Sequence, residues 1–219
     1  MKKLLLMNLL GIFCLAGETM AQIPAGTRYR AATLSLEGSN QKIEYALEKN
    51  SGNSVSFNPS FQIGRFTGNN KMLGLGFGAN FNFSSGKNKI GGQENTSRYS
   101  NNAYTLSPFI RHYKTLNEKW YAFLNTSVYG SYLRSTQQSY DIAEKDIENG
   151  YGAGLTVVPG IAYRLKSRFA LEADVNLLSL GIGYSHMNDN NSISFNSAVT
   201  TGLTSYFSLR ASWYIQKAN

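Results

Sequence analysis

The chain contains 219 residues, of which 42% are hydrophobic and 16% are charged, and its formal net charge is +8. Aromatic residues make up 13% of the chain, which is too many for a disordered polypeptide, and the glycines show no three-residue period of the collagen type. The mean hydropathy of −0.28 argues against a bundle of membrane helices, and the length allows one or two domains.

The N-terminal residues 1–21 are predicted to be a signal peptide. They begin with two lysines, continue as an apolar run over residues 4–17, and end on Thr19-Met20-Ala21. This order is typical of a cleaved export signal, and the apolar run is too short for a membrane anchor. Cleavage before Gln22 leaves a single mature domain, residues 22–219, that contains no cysteine and therefore has no disulfide framework.

The mature chain alternates between large apolar residues and small or polar ones. In residues 72–84, leucines and phenylalanines alternate with glycine, asparagine and serine. This period of two predicts a β-strand, because a helix here would contain interior glycines at about 1 kcal/mol each and no apolar stripe. The same pattern predicts seven further strands, at residues 32–36, 55–63, 104–111, 124–132, 155–163, 171–177 and 199–215.

The composition of the two strand faces predicts a sheet whose apolar side is on the outside. The second face holds glycine, serine and asparagine and almost no lysine, whereas a solvated sheet face usually carries charges. Small residues suit the interior of a narrow barrel, and large apolar residues suit contact with lipid. We therefore predict an all-β, eight-stranded, antiparallel up-and-down transmembrane β-barrel. Its lipid-facing residues are expected to include Leu73, Leu75, Phe77, Phe81, Val128, Leu155, Val157 and Leu209.

The connections between the predicted strands alternate in length. Residues 67–70, 115–119 and 165–168 are short and predict periplasmic turns, whereas residues 37–53, 84–101, 134–151 and 185–197 are long and polar and predict four outer loops. Aromatic residues near the short turns predict a belt at the membrane interface: Tyr113, Trp120, Tyr163 and Trp213. Basic residues at the same strand ends suit lipid phosphates better than a nucleic acid.

Three short motifs resemble a known family. They are Ser107-Pro108-Phe109-Ile110-Arg111-His112-Tyr113, Pro159-Gly160-Ile161-Ala162-Tyr163 and Phe169-Ala170-Leu171-Glu172-Ala173. These motifs resemble the outer-membrane protein beta-barrel family of Bacteroidetes-type Gram-negative bacteria, whose members are similar in build to small eight-stranded OmpA/OmpX barrels. The resemblance implies an outer-membrane location, with outer-membrane lipids and the barrel assembly machinery as partners, and it implies no catalytic residues.

Polar residues on the inward face of the predicted strands form a candidate cluster inside the barrel. They are Arg111, Glu172, Asp174 and Arg210, together with Gln62 and Asn125. Such a set can form either a gated polar path or a plug of ion pairs, and an eight-stranded barrel is just wide enough for side chains to fill. We expect a plug in which Glu172 bridges Arg111 and Arg210, because all three lie in the periplasmic halves of their strands.

No motif in the chain predicts an enzyme, a cofactor site or a metal site. Ser185 and His186 are adjacent on one strand, so their side chains point to opposite faces and cannot form a nucleophile–base pair. Neither a nucleotide-binding glycine motif nor HExxH occurs. We therefore expect a non-enzymatic structural or surface-interaction role, in which the loops contact an extracellular ligand or partner. Two alternatives remain: binding or transport of a small hydrophobic ligand through the barrel wall, and a secreted soluble barrel of lipocalin type.

Overall fold

The computed structural model describes residues 22–45, 48–90, 93–139, 145–175, 179–188, 190–197 and 207–216. No helix long and apolar enough to span a membrane occurs within these ranges. The strands of this part of the chain are β1 (Arg28–Tyr45), β2 (Glu48–Gly68), β3 (Lys71–Ile90), β4 (Gln93–Thr115), β5 (Trp120–Ser139), β6 (Asp146–Lys166), β7 (Phe169–Val175), β8 (Leu180–Met187), β9 (Asn190–Ser197) and β10 (Phe207–Ile215).

The ten strands form one antiparallel sheet, of which eight follow one another in a ring. The ring runs from β1 to β7 and continues with β10, which pairs again with β1. In this last pairing Arg28 stands opposite Ile215, and Ala32 stands opposite Ala211. The predicted all-β antiparallel architecture is therefore confirmed.

The described residues contain ten strands, eight of which form the ring, whereas the sequence predicts eight strands in all. β7 pairs with the second half of β6, from Gly160 onward, whereas β8 pairs with its first half, from Gly150 to Val157. β8 and β9 form a hairpin around Asn188, which has a positive φ of 51°. Most of this hairpin was expected to be a loop, since its apolar alternation is too short to stand out among asparagine and serine. The predicted strand positions 176–177 and 199–206 lie outside the described residues.

The other three connections that we expected to be long loops are also wrong in length. β1 continues to Tyr45 and β2 begins at Glu48, and the β3–β4 and β5–β6 hairpins are extended in the same way. The reason is that a backbone ladder does not require apolar side chains, and the serine, threonine, asparagine and tyrosine residues here pair as well as apolar ones. Hydrophobic alternation therefore indicated only the part of each strand in which one face is apolar. The remaining connections are short turns at residues 69–70, 116–119 and 167–168.

Burial in the ring is inverted relative to an ordinary globular protein. Large apolar side chains on the outward face are exposed, as in Phe77 at 45%, Val128 at 54% and Leu209 at 69%. Inside the ring, in contrast, Arg111 and Glu172 are 0% exposed. The buried hydrophobic residues gather at the short-turn end of the ring and include Ile23, Tyr29, Phe66, Met72, Phe109, Tyr113, Tyr121, Phe123 and Tyr214.

Candidate functional site

Glu172 lies at the centre of a buried polar cluster inside the ring. Arg111 Nη1 donates to Glu172 Oε2 at 2.8 Å, and Arg210 Nε donates to the same oxygen at 3.0 Å. The hydroxyl of Tyr29 also donates to Oε2, at 2.8 Å. The other carboxylate oxygen, Oε1, accepts from Tyr214 at 2.6 Å and from Tyr113 at 3.1 Å. Both oxygens are therefore saturated by donors, which is what a carboxylate removed from water needs.

Arg111 is the second fully buried charge of the cluster. Its Nη2 donates to Gln62 Oε1 at 2.8 Å, and its Nε donates to Asn125 Oδ1 at 3.0 Å. The guanidinium also lies over two aromatic rings, 4.8 Å from the centroid of Phe123 and 5.1 Å from that of Phe109. Hydrogen bonds in the guanidinium plane and ring contacts above it together replace the water that Arg111 loses.

Charges inside the cluster balance. Arg210, which is 5% exposed, pairs with Glu172 and, through Nη2, with Asp174. The cluster therefore holds two guanidinium groups and two carboxylates. Because each charge has an opposite partner and further hydrogen bonds, burial leaves no uncompensated ion, which is the condition under which buried ion pairs are tolerated.

Strand register explains why these residues meet. Arg210 stands directly opposite Glu172 in the β10–β7 pair, and Arg111 stands opposite Asn125 in the β4–β5 pair. In a strand the side chains alternate between faces, so residues at even spacing share the interior. Tyr113 lies two residues after Arg111 and therefore points into the same cluster.

Two glycines make room for the aromatic rings around Arg111. A Cβ atom added to Gly160 would collide with the ring of Phe123, and one added to Gly74 would collide with the ring of Phe109. Any larger residue at either position would displace these rings. The inward glycines of the wall are thus complementary in shape to the cluster.

The segment before β1 closes the short-turn end of the ring. Ile23 is 1% exposed, its N–H donates to Asn70 Oδ1 at 2.8 Å, and its carbonyl accepts from the N–H of Asn70 at 3.0 Å. Phe66 N–H donates to Thr27 O at 2.9 Å, and Gly26 N–H donates to Phe66 O at 2.7 Å. The segment is thereby fastened to the end of the β2–β3 hairpin.

The half of the ring beyond the cluster is open and polar. It contains a cavity of about 1110 Å³ whose floor is formed by Gln62, Asp174 and Arg210. Its walls combine amides and hydroxyls with apolar residues such as Leu34, Leu36 and Leu209, and several polar groups inside this half of the ring pair with each other. Thr105 and Ser131 are 2.8 Å apart at their hydroxyl oxygens, and Asn80 donates to Asn58.

The residues expected in the polar cluster lie together inside the ring: Arg111, Glu172, Arg210, Asn125 and Asp174. The residues expected to face lipid all lie on the outward face, exposed or partly exposed. The expected interface position of Tyr113 is wrong, because its side chain is buried and bonded to Glu172. Trp120 and Tyr163 are in contact on the outside, with ring centroids 4.7 Å apart, and Trp213 packs against Phe169 at 5.4 Å.

Several members of the cluster were not predicted. Tyr29 and Tyr214 occupy inward positions of β1 and β10, and they stand opposite each other in the register. Strand parity could have indicated Tyr214, because it follows Arg210 by an even number of residues and therefore lies on the same face of the strand. Residues 22–27 show no periodicity, and no sequence signal indicated that they close the ring.

Metal-ligating groups are not assembled in the part of the chain that the structure describes. No three His, Cys, Asp or Glu side chains come together there to hold a metal ion. His112 is exposed, and His186 Nδ1 lies 2.9 Å from Asn191 Oδ1.

The chain matches no model of a known protein family, and no curated protein matches it either.

Proposed function

We propose that this chain is an outer-membrane β-barrel protein of a Gram-negative bacterium with a structural or surface-interaction role and no enzymatic activity. In this proposal residues 22–219 are the mature barrel, exported by a cleaved signal at residues 1–21. The motifs around Pro108, Pro159 and Glu172 support membership of the outer-membrane protein beta-barrel family.

The observation that carries the proposal is the inverted burial. Phe77 and Leu209 are exposed on the outside, while the charged Arg111 and Glu172 are fully enclosed. A water-soluble protein rarely exposes a continuous apolar surface of this extent. Lipid around the ring would satisfy the outward face, and the interior would retain the polar groups.

Two levels of outward aromatic residues support a membrane orientation. Trp120 and Tyr163 stand opposite each other near the short turns, and Tyr132 and Tyr151 stand opposite each other further along the same pair of strands. The strand distance from residue 120 to residue 132 is roughly 40 Å at about 3.3 Å per residue. With the tilt of about 40° that is common in barrels, this gives roughly 30 Å along the membrane normal, which matches a hydrocarbon core.

The interior favours a closed barrel over an open pore. At the short-turn end, the charge cluster and the segment around Ile23 fill the space between the strands. We therefore propose that the protein does not conduct ions and that its outer hairpins carry its interactions.

Cell fractionation tests the proposal directly. We expect the protein in the outer-membrane fraction, requiring detergent for extraction, with a gel mobility that changes when the sample is boiled. A soluble periplasmic or secreted protein with unchanged mobility would contradict it and favour the soluble lipocalin-type barrel.

A second candidate function, binding of a small hydrophobic ligand through the wall, is favoured by one observation. The cavity beyond the cluster is lined by polar residues and also by Leu34, Leu36 and Leu209, which lie on the outward side. β1 pairs with β10 only up to Ala32, so among the described residues Leu34 and Leu36 have a strand partner only in β2. Mass spectrometry of molecules extracted from the purified protein tests this function, with Leu36→Asn expected to abolish any bound ligand and Leu73→Asn as the control.

A further inference from the structure

A cleft lies on the outward face of β2–β5, further from the short turns than the aromatic level formed by Tyr132 and Tyr151. We define this outer cleft by two neighbouring rows of the sheet. One row runs through Val55, Phe83, Ser100 and Thr136, and the next runs through Asn53, Ser85, Arg98 and Gln138. The outer cleft has a volume of about 380 Å³, and Lys145 lines it at the side of β6.

The floor of the outer cleft is continuous with the apolar outside of the ring. Phe83 is 52% exposed and follows Phe81 on the same face of β3. Phe81 stacks on Phe57 with ring centroids 6.1 Å apart and meets the edge of Tyr104 at 5.8 Å. An occupant of the cleft therefore meets apolar surface on the side towards the aromatic level.

Two exposed cations, Arg98 and Lys145, line the outer cleft. A third exposed cation, Arg134, lies outside the cleft in the same row as Phe81. None of these three side chains has a hydrogen bond or ion pair with another residue that the structure describes. Glu148, on the neighbouring strand, has the opposite parity to the outward Tyr151 and accepts from Asn188. Within the described residues these three cations therefore have no partner, and all three are exposed to an acceptor from outside.

We infer that the outer cleft binds the phosphorylated headgroup of a lipid in the outer leaflet. This inference rests on the proposed membrane location. A phosphate satisfies the guanidinium of Arg98 and the ammonium of Lys145 in the way that such groups prefer. The acyl chains of the same molecule lie along Phe83 and Phe81 and continue into the hydrocarbon region. The cations and the apolar surface of the outer cleft thus fit a single lipid whose headgroup points away from the hydrocarbon region.

The experiment uses the full mature chain, refolded and placed in phosphatidylcholine nanodiscs. The discs contain a small fraction of a bisphosphorylated lipid A or, in parallel, its dephosphorylated form. After extraction into mild detergent, native mass spectrometry measures the lipid retained on the protein. We expect the phosphorylated lipid to be retained in preference to the dephosphorylated one, and the preference to weaken as ionic strength rises.

Matched variants distinguish lipid binding at the outer cleft from nonspecific attraction to the positive charge of the protein. Removing one surface cation weakens lipid binding by about 1 kcal/mol, or about fivefold. Arg98→Gln combined with Lys145→Gln should therefore reduce the preference by roughly 25-fold. Lys89→Gln removes an exposed lysine that lies beyond Ser85 on the same face of β3, outside the outer cleft, and should leave the preference unchanged.

The contrary outcomes are distinguishable. Equal retention of the two lipids, or an equal loss in Lys89→Gln, overturns the inference. Stoichiometric binding of inorganic phosphate by the protein in detergent alone also overturns it, because the lipid then adds nothing. Heat-modifiable mobility is measured for each variant first. A chain that does not insert contradicts the proposed function, whereas a chain that inserts and does not discriminate contradicts only this inference.

Discussion

Arg210 and Glu172 stand directly opposite each other on β10 and β7, and their side chains form an ion pair at 3.0 Å inside the ring. The same carboxylate oxygen also pairs with Arg111 from the far side, at 2.8 Å. One residue of a short strand thus connects β4 with β10 across the interior. Removal of this carboxylate should destabilise the fold, because it leaves a buried guanidinium without its negatively charged partner.

Glu172→Ala is expected to lower the thermal unfolding midpoint strongly. The change leaves two buried guanidinium groups with less negative charge, and breaking a buried pair in this way typically costs about 3–5 kcal/mol. Circular dichroism of the detergent-solubilised protein measures the midpoint. Glu118→Ala, an exposed change in the β4–β5 turn, is the control. An unchanged midpoint for Glu172→Ala would show that the ion pairs of the plug do not stabilise the fold.

Gly160→Ala is expected to destabilise the protein by about 1–3 kcal/mol, because its Cβ has no space beside the ring of Phe123. Gly130→Ala is the matched control, since a Cβ there meets nothing within 4 Å. A second change, Phe123→Leu, should recover part of the loss in the Gly160→Ala background. Equal stability of the two glycine variants in urea titrations would show that the wall adjusts to the extra methyl.

Phe77→Arg tests the proposed orientation of the sheet in lipid. An arginine on the lipid face near the midplane costs roughly 2–4 kcal/mol, so folding into vesicles should be impaired. Asn80→Arg places the same side chain on the opposite face of β3, towards the open cavity, and should fold nearly as well as the wild type. If Phe77→Arg folds into vesicles like the wild type, the apolar face does not contact lipid.

Asn70 tests how the segment before β1 is held. Asn70 has a positive φ of 59°, and its side chain accepts from the N–H of Ile23. Asn70→Gly keeps the backbone conformation and loses the hydrogen bond, at a cost of about 1 kcal/mol. Asn70→Ala loses the bond and adds strain at positive φ. We expect faster hydrogen exchange at Ile23 in both variants, with the larger increase for alanine. Protection equal to the wild type in both would mean that packing of Ile23 alone holds the segment.

The polar cluster could be predicted from sequence to the extent that strand parity determines it. A period of two assigns each residue to one face, and it assigns Arg111, Glu172 and Arg210 to the face on which the structure shows them in contact. Tyr113 shares the parity of Arg111, yet its nearness to a short turn led us to expect it at the membrane interface. Strand parity was the stronger signal, because the pleat of a strand fixes the face on which each side chain lies.

Other features had no local sequence signal. The extension of β4 over residues 93–103 rests on backbone pairing among polar residues, and hydrophobic alternation does not report such pairing. The position of Ile23 depends on the two hydrogen bonds that its backbone forms with Asn70, which is distant in sequence and lies in the β2–β3 turn. Features that follow from strand parity could be predicted, and those that depend on polar backbone pairing or on a non-periodic segment could not.

Closure of the ring between β1 and β10 has a consequence for biogenesis. Tyr29 and Tyr214, which face each other across this last junction, both donate to Glu172. The first and last described strands therefore both supply donors to a charge held on β7. Until β1 joins β10, Glu172 lacks the hydrogen bond from Tyr29, so an open ring is penalised electrostatically as well as by its free edges. Closure of the ring is thus coupled to the hydrogen bonding of its central charge.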